Sequence, residues 1–319
     1  MNSLFTVLSD YYVSLSNGRL VDEPPPGIES ESLVGSYIFG GHVCYLNPTV
    51  YCADLPEGQR NNVGSWYLSS ERHAQETIFV TAFYALLAFT SIYLLPNKKV
   101  RVTNPIKPPL ILTLSSVVNL FLLVYYKLTS DSPNNIYFMV MPCNVLWVLN
   151  LCLSLPVVSP NVKAAIVQAL SQFQALVITV FVTKDTAGLN GFLEVEFFWF
   201  SHCLLLLPPF YYLWQGQSET LLHYSTKTNK LKSEVVNFVK YILQSASAMG
   251  VFYFAIVLPL CFKSLLNLNY MLSPPGPIFG ENYRLVSQLL IVVGFACSRI
   301  SMIAVDIAGK IIRRREKKD

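Results

Sequence analysis

Residues 136–156 read IYFMVMPCNVLWVLNLCLSLP, and that stretch decides the fold class. It is apolar over the roughly 20 residues that an α-helix needs to cross a hydrocarbon core of about 30 Å. It also carries Cys143, Asn144 and Asn150, polar side chains that lipid tails cannot satisfy. Such a segment belongs inside a bundle of membrane helices, where neighbouring helices supply hydrogen-bond partners.

Working outward, comparable stretches run from about 77 to 95, 109 to 126, 162 to 182, 192 to 214, 236 to 260 and 285 to 308, giving about seven candidate spans with the first. The chain is 53% hydrophobic and 13% charged, with a mean hydropathy of +0.44, far from the roughly 25% charged residues of soluble domains. The expectation is an all-α, polytopic membrane helical bundle over 76–309. A segment at 1–75 precedes it and a basic tail at 310–319 follows.

Basic residues set the expected orientation. Lys98, Lys99, Arg101 and Lys107 fall between the first two spans, Lys227, Lys230 and Lys232 between the fifth and sixth, and Arg313, Arg314 and Arg315 after the last. The alternate loops hold few, among them Lys127, Lys184, Lys263 and Arg284. This predicts a lumenal or extracellular N-terminus and a cytosolic C-terminus. The net charge of +4 is then a topology signal, with no nucleic-acid partner implied.

The N-terminal segment is rich in Ser, Gly, Pro and acids, includes Pro24, Pro25 and Pro26, and lacks the pattern of a cleavable signal peptide. In an oxidising lumen Cys44 and Cys52 are candidates for a disulfide, two free thiols being the alternative. The spacing of His42 and His73 from these cysteines fits no zinc pattern, so no metal site is read there and both are expected as solvated loop histidines.

Two residues carry the chemistry. Cys143 follows Pro142, which is expected to kink the third span and free backbone groups near the thiol. A buried membrane cysteine is most often a small apolar filler, the reading given to Cys152, Cys203, Cys261 and Cys297. His202 lies inside the fifth span, where an ionisable side chain needs a partner or a wet cavity. Counted from the same end, the two lie about seven and about ten residues in, so at about 1.5 Å per residue their depths differ by about 5 Å.

An imidazole that accepts the thiol proton is the usual activation of a cysteine nucleophile, and the chemistry this pair supports is acyl transfer through a thioester. Asn144 and the amides released by Pro142 are candidate donors to the oxyanion. Glu194 shares a face with His202 but lies about two turns away, about 12 Å. It is either an interfacial acid satisfied by water and the helix N-terminus, or a residue that positions head groups. Gln168, Gln172 and Gln174 read as interhelical hydrogen bonders. Tyr211, Tyr212 and Trp214 read as an aromatic belt, and Arg299 and Asp306 as structural charges that snorkel to water.

Three blocks, MPCNVLWVLNLCLSL (141–155), LEVEFFWFSHCLLLLPPFYYLWQG (193–216) and LNLNYMLSPPGPIFGENYR (266–284), resemble the transmembrane protein 164 family from about the second span onward. The resemblance implies a membrane acyltransferase that moves a polyunsaturated, arachidonoyl-like chain from a phospholipid to a lysophospholipid, making ether-linked phosphatidylethanolamine. It implies Cys143 as nucleophile and His202 as its partner, a place in phospholipid remodelling connected with ferroptosis, and residence in the endoplasmic reticulum. No cofactor is required, because the acyl donor is itself a phospholipid. The chain departs from the family's Pro-Cys-His by carrying Asn144, and it lacks the family's last-span histidines near Leu290 and Ser298. A seven-helix receptor or transporter is the alternative; no receptor-like acidic-Arg-Tyr triplet follows the third span, and no internal repeat is evident.

Overall fold

Backbone in a lipid phase has to satisfy its own polar groups, and every described element is accordingly helical. The computed structural model describes residues 4–16, 68–94, 106–129, 133–182, 189, 191–217, 230–264, 268, 271–272 and 282–315. In chain order the helices are α1 (Leu4–Leu15), α2 (Ser70–Tyr93), α3 (Leu110–Thr129), a 3-10 segment (Pro133–Val140), α4 (Pro142–Ser154), α5 (Pro160–Val182), α6 (Glu194–Leu205) and α7 (Leu207–Trp214). There follow α8 (Lys230–Val251), a π-helical segment (Phe252–Val257), α9 (Leu258–Ser264) and α10 (Tyr283–Arg315).

Among the described residues, four helical stretches are long and apolar enough to cross a membrane: Ser70–Tyr93, Leu110–Thr129, Glu234–Ser264 and Tyr283–Ile312. Their outward faces carry Phe79, Phe83, Leu114, Phe121, Leu289 and Val293, all exposed. So much outward apolar surface is the mark of a lipid-facing wall.

Two of the expected spans are broken rather than continuous. Pro142 does not kink a helix; it opens α4, where its missing N–H costs nothing, and the residues before it form the 3-10 segment. The fifth stretch divides at Leu206, because Pro208 and Pro209 donate no N–H to the turn before them. The carbonyl of Leu206 accepts instead from Gln174 Nε2 on α5 at 2.6 Å, the interhelical role expected of that glutamine.

Polar pairs fix the helix neighbours. Thr113 and Ser154 meet at 2.6 Å, and Asn150 Nδ2 donates to Ser116 Oγ at 2.7 Å, which sets α3 antiparallel to α4. The Tyr84 hydroxyl donates to Gln288 Oε1 at 2.6 Å and ties α2 to α10. α2 also packs on α8, where a Cβ at Gly250 would overlap the Tyr84 ring. α1 lies on α2 through Tyr12–Thr77 and Ser9–Ser70 hydrogen bonds, both 2.9 Å. Composition gave no hint of this helix, which lies within the acid- and serine-rich segment.

Further expectations are corrected. Arg299 and Asp306 do not snorkel: both are buried, Arg299 with its guanidinium over the Tyr241 ring and Asp306 paired with Lys310. Tyr212 is a core residue and not part of an interfacial belt, although Trp214 is exposed. Cys203 and Cys297 are exposed, so only Cys261 is fully buried among the cysteines read as fillers. Cys44, Cys52 and His42 lie outside the described residues.

Candidate functional site

The starts of α2 and α10 meet through His73, Glu76 and Arg284, and the end of α3 meets the start of α6 through Lys127 and Glu194. Cys143 is the second residue of α4. Helix first-turn amides have no partner within the helix and carry the positive end of its dipole. The α4 start is pinned by Met141, whose carbonyl accepts from the amides of Asn144 at 2.9 Å and Val145 at 3.0 Å.

The thiol is half-buried and points to Asn144 Oδ1 at 3.8 Å. Asn144 Nδ2 in turn donates to the Phe138 carbonyl in the 3-10 segment at 2.7 Å. One of the two amide hydrogens of Asn144 is therefore committed to shaping the turn. The Cys143 side chain packs against the buried core to which Tyr253, in the π-helical segment, belongs. A π-helical turn is rare and frequently marks a functional site.

His202 sits on α6, which packs directly against α4 and α5. Its Nδ1 is 2.7 Å from the Phe198 carbonyl, an acceptor only, so the ring proton resides on Nδ1. That assignment leaves Nε2 as a bare lone pair. The Nε2 atom is buried and has no hydrogen-bond partner among the described residues. The ring lies against Phe198, with centroids 4.2 Å apart and planes tilted by 43°. Cys143 and His202 thus lie on touching helices, but the thiol is turned to Asn144 and makes no hydrogen bond to the imidazole.

Glu194 is neither solvated nor open to a head group. It is buried at the first residue of α6, 3.3 Å from Lys127 Nζ at the end of α3, and its other oxygen accepts the Gly191 N–H at 2.9 Å. Gly191 is required here, because a Cβ would lie 2.8 Å from the Tyr126 ring. In sequence Lys127 is a loop charge; its partner lies far along the chain, and no local signal links them.

The second polar cluster overturns the reading of His73. This residue is fully buried on α2, edge-on to Phe262 at 5.0 Å, with Nδ1 accepting from the Arg284 guanidinium. Arg284 also donates to Glu76 Oε2 at 2.8 Å and to the Tyr283 hydroxyl at 3.1 Å, and Arg72 meets the other Glu76 oxygen at 2.7 Å. Glu76 three residues after His73, opposite a lone arginine opening the last span, was the available sequence signal. The cluster fastens α2 to α10 and reaches the π-helical segment, where Arg284 lies 5.9 Å from the Phe254 ring. Leu290 is exposed on α10, and Ser298 is buried and donates to Gln174 at 3.3 Å, so neither position adds to the Cys143 site.

No protein-family model matches the chain, and no solved structure matches it. A transmembrane protein 164 homolog from Dictyostelium discoideum is 25% identical over 255 residues, covering 74% of this chain and 85% of that protein. The chain is a distant relative of the transmembrane protein 164 family.

Proposed function

We propose that this protein is an integral-membrane phospholipid acyltransferase of the transacylase type, with Cys143 as nucleophile and His202 as general base and then acid. In this reading about seven segments span the bilayer, the N-terminus is lumenal and the membrane is that of the endoplasmic reticulum. The observation that carries the proposal is the His202 ring: Nδ1 is tied to a carbonyl, and Nε2 is buried without a partner among the described residues, on the helix beside that of Cys143. A buried, unsatisfied acceptor is costly and calls for an explanation, and a base waiting for a proton supplies one.

Rotation of the thiol from Asn144 toward Nε2 starts the reaction. The thiol proton passes to Nε2 and the sulfur attacks the ester carbonyl of the donor phospholipid. The ester C–O bond then breaks, the departing lysophospholipid oxygen takes the proton from His202, and the acyl chain remains as a thioester. An acceptor lysophospholipid hydroxyl gives its proton to Nε2 and attacks the thioester carbonyl; the C–S bond breaks and the thiolate is restored, recovering the proton. The positive end of the α4 dipole favours the developing negative charge. A polyunsaturated chain and an ether-linked ethanolamine acceptor are the specific substrates proposed.

The test is lipidomics on cells expressing wild type, Cys143→Ala or His202→Ala at matched membrane abundance. Wild type should raise polyunsaturated ether-ethanolamine species and both variants should fail to. Equal lipid profiles in all three would make Cys143 and His202 packing residues and move a receptor or transporter function ahead.

A further inference from the structure

We infer that Lys127, seated by Glu194, is a positioning residue that supports negative charge on the Cys143 sulfur. The inference rests on the acyl-transfer reading for the use made of that charge. Three contacts lead from Lys127 to Cys143, and a fourth seats the lysine on Glu194. Lys127 Nζ is 3.3 Å from Glu194 and 5.3 Å from the centroid of the Phe138 ring. The Phe138 carbonyl holds Asn144 at 2.7 Å, and Asn144 holds the thiol at 3.8 Å. The ammonium and the thiol are thus joined through the turn that Phe138 and Asn144 form.

A purely structural tie between α3 and α6 has no need of buried ions. Apolar side chains of similar volume usually hold two helices as well or better, because desolvating an ammonium and a carboxylate offsets their attraction. Here the pair is buried, at 8% and 7% exposure, beside the 3-10 segment that leads into α4. The carboxylate is itself fixed by the Gly191 amide, and the Tyr126 hydroxyl clips the same loop by donating to the Phe192 carbonyl at 2.9 Å. Lys127 is thereby placed against the turn that carries Cys143, where a fixed positive charge favours a thiolate. Glu194 keeps the lysine in place and moderates its field.

The experiment uses the full-length protein in microsomes and N-ethylmaleimide, an uncharged probe, with labelling of each cysteine resolved by peptide mass spectrometry. In Lys127→Met, Cys143 should label at least about tenfold more slowly, since the thiolate is the reacting form. Lys127→Arg should restore the rate to within about threefold, and exposed Cys203 should be unaffected throughout. Wild-type labelling of Cys143 in Lys127→Met, or failure of arginine to rescue, overturns the inference. If Lys127→Met opens the fold, buried Cys261 becomes labelled, and Glu194→Gln then decides. Faster Cys143 labelling with Cys261 still protected supports the inference, and unchanged or slower labelling overturns it. Labelling needs no lipid turnover: a lysine effect without acyl transfer sinks the enzymatic reading alone, and acyl transfer without a lysine effect sinks this inference alone.

Discussion

Replacing His202 by leucine separates a waiting base from a packing residue. The buried, unpartnered Nε2 atom costs about 1–3 kcal/mol, which leucine removes. The substitution also forfeits the Nδ1–H bond to Phe198, worth about 0.5–1.5 kcal/mol net, and a ring contact at 4.2 Å worth about as much. Gain and loss nearly cancel. Stability should therefore change by no more than about 1 kcal/mol, against the ~3–5 kcal/mol usual when a large buried side chain is truncated to alanine. Loss of the general base should lower transacylation by about 10²- to 10⁴-fold. Thermal unfolding and transacylation, both in nanodiscs, measure the two effects. A loss of more than about 2 kcal/mol, with activity falling only as the folded fraction falls, would show His202 to be structural and refute the reasoning.

Three further outcomes follow from the packing. Gly250→Val drives a side chain into the Tyr84 ring and should destabilise by at least about 1–3 kcal/mol, with partial recovery in Gly250→Val/Tyr84→Ala, both read by thermal unfolding. Arg284→Met leaves Glu76 without one of its two guanidinium partners in a buried cluster and should cost about 3–5 kcal/mol, whereas Arg284→Met/Glu76→Gln should cost clearly less, a coupling that a double-mutant cycle measures. Asn144→Ala removes the thiol's acceptor and the tie to Phe138, and should lower transacylation by roughly tenfold while membrane abundance is retained, since one buried hydrogen bond is worth about 1 kcal/mol or somewhat more.

The membrane character and the helical class were legible because apolar run length is a local property of the chain, and so was the presence of a thiol and an imidazole in two separate apolar stretches. The prolines were visible too, but their effect was not. Pro142 between two helical stretches is compatible with a kink or with a fresh helix start, and only the 3-10 turn before it decides for the start. The same ambiguity hid the break at Leu206, which depends on Gln174 coming across from α5 to satisfy a carbonyl.

Pairing between distant residues was least legible. His73 looks like a boundary histidine until Arg284, far along the chain, is packed against it. Lys127 and Glu194 each look like interfacial charges until α3 and α6 meet. The bare Nε2 of His202 is likewise a property of its surroundings. Sequence places the imidazole in an apolar helix, and the Phe198 carbonyl then fixes which nitrogen holds the proton.

The central claim is a covalent acyl group on Cys143. Purified protein in nanodiscs, given a diacyl phospholipid with a polyunsaturated chain and no acceptor, should gain the mass of that acyl group on the peptide carrying Cys143. Hydroxylamine should release it, a lysophospholipid acceptor should discharge it, and Cys143→Ala should never acquire it. Acyl transfer by Cys143→Ala at the wild-type rate, with no adduct on the wild-type cysteine, would contradict the account.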